Sequence, residues 1–448
     1  MQNHRMNCIG RKLLSKSQNI TTMNRNEAPK VYNFGPLTLS PASTHILPNG
    51  ISVHIESGSE IDVSRLTIAL PAGEAESPKP GLVGCAAMML VEGTARMNGE
   101  EIANTFEYNG AWVSTTVSTH YTSIILSTLN DKFADVLPII ADMIICPAFP
   151  EAATSRLLQR QAARLEIEHK KVNFIADAAI RPLAYGQDNP LARSETPDEV
   201  KSFTTKELSD FHFSRLDPSN MHIFLAGNIT DDMIRTVDMI FTRIPRHAGP
   251  QLNRLSFPTP TSGEPRRVDI PVEHAQQSAV KLMIPAVGRT DSDFVPLRAA
   301  VIALGGYFGS RLMLNIREDK GLTYGISASL FGYTDRSFIT VSTQTDGSSK
   351  DEVIRLICDE IEKMKDESSY NDDEIRRLSK FILSNLATTL DTPFSRMDYT
   401  QTHIYADTPE DYFEQQESLA RKLNPEILAG MARRYFDLSK MIVVTAGN

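Results

Sequence analysis

Short apolar runs return in the same order along the chain. The run at 220–228 (Asn-Met-His-Ile-Phe-Leu-Ala-Gly-Asn) comes back at 440–448 (Lys-Met-Ile-Val-Val-Thr-Ala-Gly-Asn), a shift of 220 residues from Ala226 to Ala446. Tyr185 and Tyr405 stand at the same shift, each after a long helical stretch, at 152–170 and at 372–388. Nearer the front of each half, 66–72 (Leu-Thr-Ile-Ala-Leu-Pro-Ala) resembles 280–286 (Val-Lys-Leu-Met-Ile-Pro-Ala), shifted by 214 residues. Runs of this kind, closed by Gly-Asn or Pro, read as buried strands. Their ordered return reads as an internal duplication. Alternation at 51–55 after the turn Pro48-Asn49-Gly50 predicts a strand, and 112–129 predicts two strands around Thr119-His120. Phe133, Val136, Leu137, Ile140 and Met143 recur at helical spacing and predict a helix over 133–145. The pattern predicts an α+β fold: two homologous domains in one chain, each a mixed, mainly antiparallel sheet with helices packed on one side.

The boundary between the halves falls where turn-forming residues gather: Pro245, Gly249, Pro250, Pro258, Pro260, Gly263 and Pro265. The expected division is a tail at 1–30, an N-terminal domain at 31–244, a linker at 245–266 and a C-terminal domain at 267–448. The first 26 residues hold no Asp or Glu but carry Arg5, Arg11, Lys12, Lys16 and Arg25. They read as a disordered tail or as residues ahead of a start at Met23, with a mitochondrial transit peptide as the alternative.

Charge and composition narrow the function. The net charge of −9 argues against nucleic acid as the main partner, since phosphate binding needs a basic face. No run of 18 apolar residues is present, so no membrane-spanning helix is expected. Cys8, Cys85, Cys146 and Cys358 form no C-x-x-C pair and read as free thiols in a reducing compartment. No P-loop, G-x-G-x-x-G or G-x-S-x-G pattern is visible. Cytoplasmic residence in a bacterium is expected, with the mitochondrial matrix as the alternative.

The stretch 81–94 (Gly-Leu-Val-Gly-Cys-Ala-Ala-Met-Met-Leu-Val-Glu-Gly-Thr) resembles the active-site helix of the insulinase/pitrilysin family, which includes the mitochondrial processing peptidases. Gly81-Leu82 and Gly93-Thr94 keep the family's spacing, and the Leu-Pro-Asn-Gly turn at 47–50, the Pro-Ala-Gly at 71–73 and the Gly-Leu-Thr-Tyr at 321–324 are further shared features. Active members carry H-x-x-E-H in this helix, two histidines four apart on one face for zinc and a glutamate for its water. This chain has Gly84, Ala87 and Met88 there instead. Glycine offers no ligand, a thioether is a poor zinc ligand and alanine accepts no proton. No zinc site and no catalysis by the chain alone are therefore expected. Glu166, Glu168 and His169 lie near where the family's third ligand would fall, but without histidine partners they read as a solvated helix face. His54 and His120 read as structural residues.

In the second half, a helix at about 295–304 is expected to stop at Gly305-Gly306, and a second from Ser310 to stop at Gly321. A strand then follows with Leu322, Tyr324 and Ile326 on one face. The resemblance implies that Arg317 and Tyr324, in the pattern R-x-x-x-G-L-x-Y, contact a substrate backbone, and that the loop of Gly305, Gly306 and Gly309 meets substrate. In two-chain members one chain bears zinc and the other supplies the Arg/Tyr pair. The expectation is therefore a non-catalytic subunit that binds extended peptides beside a zinc-bearing paralogue as a heterodimer. The alternatives are a stand-alone peptide-binding or scaffold protein, as a homodimer, or a structural subunit of a larger assembly.

Overall fold

The structure, a computed structural model, describes residues 34–245, 249, 251–259 and 266–448; the expected tail at 1–30 lies outside them. Residues 37–448 form one compact unit.

Among the described residues, eleven strands make two sheets. The first takes β1 (Ser43–Ile46), β2 (Ser52–Ser57), β3 (Val63–Leu70), β4 (Trp112–Val117), β5 (Thr122–Leu129) and β6 (His222–Gly227), in the order β1-β2-β6-β3-β5-β4. The second takes β7 (Arg266–Pro271), β8 (Ser278–Ala286), β9 (Thr323–Gly332), β10 (Ser337–Thr345) and β11 (Ile442–Gly447), in the order β7-β11-β8-β10-β9. The two plans coincide once β1 is set aside. Each holds a parallel pair, β2 with β6 and β7 with β11, and the remaining neighbours run antiparallel. The repeated runs are β6 and β11, and β3 and β8. Among the described residues, fourteen α-helices complete the fold: α1 (Leu82–Met89), α2 (Gly99–Tyr108), α3 (Phe133–Ile145), α4 (Glu151–Glu168), α5 (Val172–Tyr185), α6 (Pro197–Ser202), α7 (Thr205–Ser214) and α8 (Asp231–Phe241) in the first half, then α9 (Phe294–Val301), α10 (Lys350–Lys363), α11 (Asp372–Leu390), α12 (Pro393–Ala406), α13 (Tyr412–Lys422) and α14 (Pro425–Tyr435). No helix among the described residues is long and apolar enough to cross a membrane.

Strand alternation decides what covers each sheet, because successive side chains point to opposite faces. Leu66, Ile68, Leu70, Ile223 and Leu225 face the helices of their own half, packing with α1, α3 and α8. Val280, Leu282, Ile284, Ile339 and Val443 do the same in the second half. The residues between them point the other way and need a second cover. That cover is exchanged between the halves. Ala69, Phe224 and Ala226 pack under Met397, Phe394 and Tyr405 of α12, while Ala279, Met283, Val444 and Ala446 pack under Ala176, Ile180 and Tyr185 of α5. Ion pairs fasten both crossings: Arg65 with Asp398 at 2.5 Å, Glu56 with Arg396 at 3.1 Å, and Lys281 with Asp177 at 3.1 Å. The repeated tyrosines end the exchanged helices. Tyr405 stacks on Tyr121 with centroids 4.4 Å apart and meets Ser123 Oγ at 2.8 Å, whereas Tyr185 meets the Tyr333 hydroxyl at 3.5 Å.

The described part of the stretch between the halves is packed. Asn253 donates its backbone N–H to Glu76 and its amide to the Ala75 carbonyl, Asn189 donates to the Ser256 carbonyl, and Leu255 and Phe257 join the core beneath α5.

Candidate functional site

Helix α1 starts at Gly81 in a left-handed conformation, φ +78°, and a side chain there would collide with the Glu195 carboxylate. Ala86 and Met89 turn into the core, while Gly84, Cys85 and Met88 line a cavity of about 230 Å³. Ala87 is buried. Across the cavity stands α4. Its core stripe runs through Leu157, Leu158 and Leu165, so Gln161 and Arg164 at the stripe's border are the side chains that reach the cavity.

Where H-x-x-E-H would gather a metal, a chain of polar contacts runs instead. Gln161 Nε2 donates to Met88 Sδ at 3.3 Å, Arg164 Nε donates to Gln161 Oε1 at 3.0 Å, and Arg164 lies 3.6 Å from the Glu195 carboxylate. Arg181 donates to Ser194 Oγ at 3.1 Å, and Arg193 donates to the carbonyls of Ser77 and Pro78, each at 2.9 Å. Burial raises the pKa of Glu74, with Arg181 opposing and Glu195 adding to the rise. Burial also pushes the Cys85 thiol up to about 12, so at neutral pH it supplies neither a thiolate ligand nor a nucleophile. These residues do not fit zinc. The positions on α1 give a hydrogen, a methyl and a thioether, and the facing helix gives an amide and a fixed cation. Among the described residues no group of three or more His, Cys, Asp or Glu is placed to hold a metal.

Glu166, Glu168 and His169 do not face this cavity. Glu166 pairs with Lys201 at 2.8 Å and Glu168 with Lys171 at 2.6 Å, both on the surface, while His169 meets the Glu195 carbonyl at 3.0 Å and stacks on Phe174. His54 sits between Thr44 Oγ1 at 3.0 Å and His222 Nδ1 at 3.2 Å on the face covered by α12, and His120 meets Glu76 at 2.9 Å.

In the second half, Arg317, Tyr324 and the glycine loop come together. Arg317 Nε donates to the Tyr324 carbonyl at 3.0 Å, its guanidinium lies 4.9 Å from the Phe308 ring centre, and it pairs with Glu318. Tyr324 is 91% exposed and Phe308 is 62% exposed. None of these residues lines the cavity beside α1. One expectation is corrected. Tyr324 does not share the face of Ile326, because three steps from Thr323 to Ile326 oppose two from Thr345 to Thr343; this bulge turns Tyr324 outward while Ile326 stays buried. The first helix stops at Gly305-Gly306 as expected, after wide π-type turns over 302–306, with Gly305 already out of helical geometry and neither glycine at positive φ. Gly305 is buried, and an added Cβ would come 2.6 Å from the Ala328 nitrogen, so its missing side chain admits the fold's own strand β9. Gly306 is exposed, and Gly309 packs beside the Tyr307 ring. The expected stop at Gly321 is found, with φ +65°.

Sequence reasoning missed Gln161, Arg164 and Glu195. The stripe on α4 carried a signal for the first two, since they flank its buried leucines; Glu195 comes from a distant turn and had none.

The fold and this site define a class: a two-sheet, duplicated α+β chain of peptidase design whose metal helix holds no metal ligands. Comparison with known proteins agrees. The profile described as "Insulinase (Peptidase family M16)" matches residues 53–191, and "Peptidase M16 inactive domain" matches residues 202–380. The chain is 24% identical to an uncharacterized zinc protease of Streptomyces coelicolor, over 74% of this chain and 73% of that one. It is 19% identical to the non-peptidase homolog YmxG of Helicobacter pylori, over 95% of this chain and 93% of that one. A crystal structure of a peptidase M16 inactive domain from Pseudomonas fluorescens superposes with a TM-score of 0.80 at 22% identity, covering 91% of this chain and 98% of that one. The chain belongs to the insulinase family, M16, as a homologue without the residues of the zinc site.

Proposed function

We propose that this protein is the non-catalytic subunit of a two-chain insulinase-family zinc endopeptidase. It binds extended peptide, and a paralogue bearing H-x-x-E-H supplies zinc and cleavage. The observation that carries the reading is the contrast between its two candidate regions. Helix α1 faces Arg164 and Gln161 where a metal would sit, while Arg317 is braced against strand β9 with the Tyr324 side chain open beside it. A guanidinium and a phenol are donors suited to peptide carbonyls. Both β4 and β9 are edge strands, whose free backbone groups can take up an added strand of peptide. Residence in the cytoplasm, where free thiols persist, belongs to the same reading.

The test is to purify the native protein from its own cell and assay it for a bound partner, for zinc and for cleavage of an unfolded peptide. An H-x-x-E-H partner, and a drop in cleavage by the pair when Arg317 or Tyr324 becomes alanine, supports the subunit. A lone, inert, zinc-free protein that still binds peptide moves the assignment to a stand-alone binding protein. Zinc and cleavage by the isolated chain would overturn both.

A further inference from the structure

Arg289 follows strand β8 and is held at its backbone, where its N–H donates to the Tyr333 carbonyl at 2.9 Å. Its side chain is half-buried, yet among the described residues it makes no hydrogen bond and no ion pair. The space for it is made by Gly332: a Cβ there would come 2.9 Å from Arg289 Cγ and 2.7 Å from the Phe294 ring. A cation taken partly out of water without a counter-charge is costly. A desolvated cation lining a cleft is a candidate for ligand binding.

The surroundings make the case specific. Arg289 lines two cavities that also share Ala406: one of about 300 Å³ toward Thr119 and Tyr333, and one of about 390 Å³ toward α12 and α13. The larger one holds a second guanidinium, that of Arg298, which donates to Gln416 Oε1 at 2.6 Å and pairs with no carboxylate among the described residues. Burial holds the pKa of Arg289 below its usual value, and the charge of Arg298 pushes the same way. The acids that line these cavities are already engaged, Asp398 by Arg65 at 2.5 Å and Asp335 by Arg254 at 2.6 Å. His120 is held by Glu76, and His403 by Thr408. Two cations therefore face one space with their charge unanswered. Phe294, Leu330, Tyr399 and Tyr412 give that space an apolar wall.

We infer that Arg289 and Arg298 form a binding site for a small organic dianion, a phosphate monoester or a dicarboxylate, whose apolar body lies against Phe294, Tyr399 and Tyr412. Two fixed guanidinium groups match two negative charges, and each presents a fork of donors to an oxyanion. The site is separate from Arg317 and Tyr324 and stands whether or not a partner subunit exists.

The experiment is isothermal titration calorimetry on the full chain with phenyl phosphate, phthalate and inorganic phosphate, at constant ionic strength with chloride as the control. Saturable binding of phenyl phosphate or phthalate is expected, tighter than that of inorganic phosphate because the ring reaches the apolar wall. Which of the two wins tells a phosphate from a carboxylate head. Arg289→Gln should weaken that binding at least about tenfold, the loss of one charge-assisted contact. No saturable binding above chloride, or equal affinity in Arg289→Gln, would overturn the inference. Melting of the ligand-free Arg289→Met protein is an independent check. Removing an unanswered cation should leave the melting temperature unchanged or raise it, whereas a lower one would mean that Arg289 carries a structural bond and the site does not exist.

Discussion

Replacing Glu76 with alanine is expected to cost about 3–5 kcal/mol of folding free energy, the range for breaking a buried, hydrogen-bonded charge. The Glu76 side chain is fully buried and accepts three hydrogen bonds: from the Gly73 backbone N–H at 3.1 Å, from the Asn253 backbone N–H at 3.0 Å and from His120 Nδ1 at 2.9 Å. Alanine removes every acceptor at once, and each stranded donor costs about 1 kcal/mol or more. Glu76→Gln keeps the volume and one acceptor oxygen but turns an NH2 toward donors, so an intermediate loss of about 2 kcal/mol is expected. The measurement is urea unfolding followed by far-UV circular dichroism, because the single tryptophan, Trp112, is 74% exposed and a weak reporter of the core. Since Glu76 also holds Asn253, the alanine variant should be cut faster by protease within 251–259. A loss below about 1 kcal/mol with an unchanged m-value would refute the reasoning, since the three donors would then have to find other acceptors at no cost.

Acid should weaken the fold through its buried histidines. Burial lowers the pKa values of His54, His212 and His222 to about 4, while unfolded histidine stays near 6.5. The unfolded chain then binds more protons between these values, so stability is complete above pH ~6.5 and falls toward pH ~4 by up to about 1.4 kcal/mol per histidine per pH unit. Melting curves from pH 7.5 to 4.5 check this, and a flat profile would contradict it. Gly84→His, Ala87→Glu and Met88→His together should not restore tight zinc binding, although a side chain at 84 meets nothing within 4 Å, because the Arg164 cation remains opposite. Adding Arg164→Glu should tighten zinc at least about tenfold in a chelator competition, and equal affinity without it would sink the argument. Arg317→Ala should change stability by less than about 1 kcal/mol, since its ion pair with Glu318 is at the surface; a larger loss would make it a structural residue.

The duplication was legible because buried strands leave dense apolar runs: β6 and β11, and β3 and β8, stand out in the sequence as they do in the sheets. The helix expected at 133–145 is α3, for the same reason of strong periodicity. The emptied metal positions on α1 were legible as missing side chains. What lay opposite them was not, because Glu195 reaches Gly81 only through tertiary packing. Local pattern failed at Tyr324 too, where one extra residue in a strand reverses the outward side and leaves no mark in composition. The crossing of α5 and α12 was invisible for a different reason. Both helices are amphipathic, and periodicity tells that a helix has an apolar face without telling whose sheet it meets.

That crossing bears on how such a chain came to be doubled. A half-length chain with this plan would leave one apolar sheet face and one apolar helix face bare. Two copies could cover both by trading helices, each lending the other its lid, so the half-length form is complete only as an intertwined pair. Joining the copies head to tail turns that reciprocal loan into a contact within one molecule and makes it independent of concentration. Once joined, each copy is free to diverge, while neither can leave.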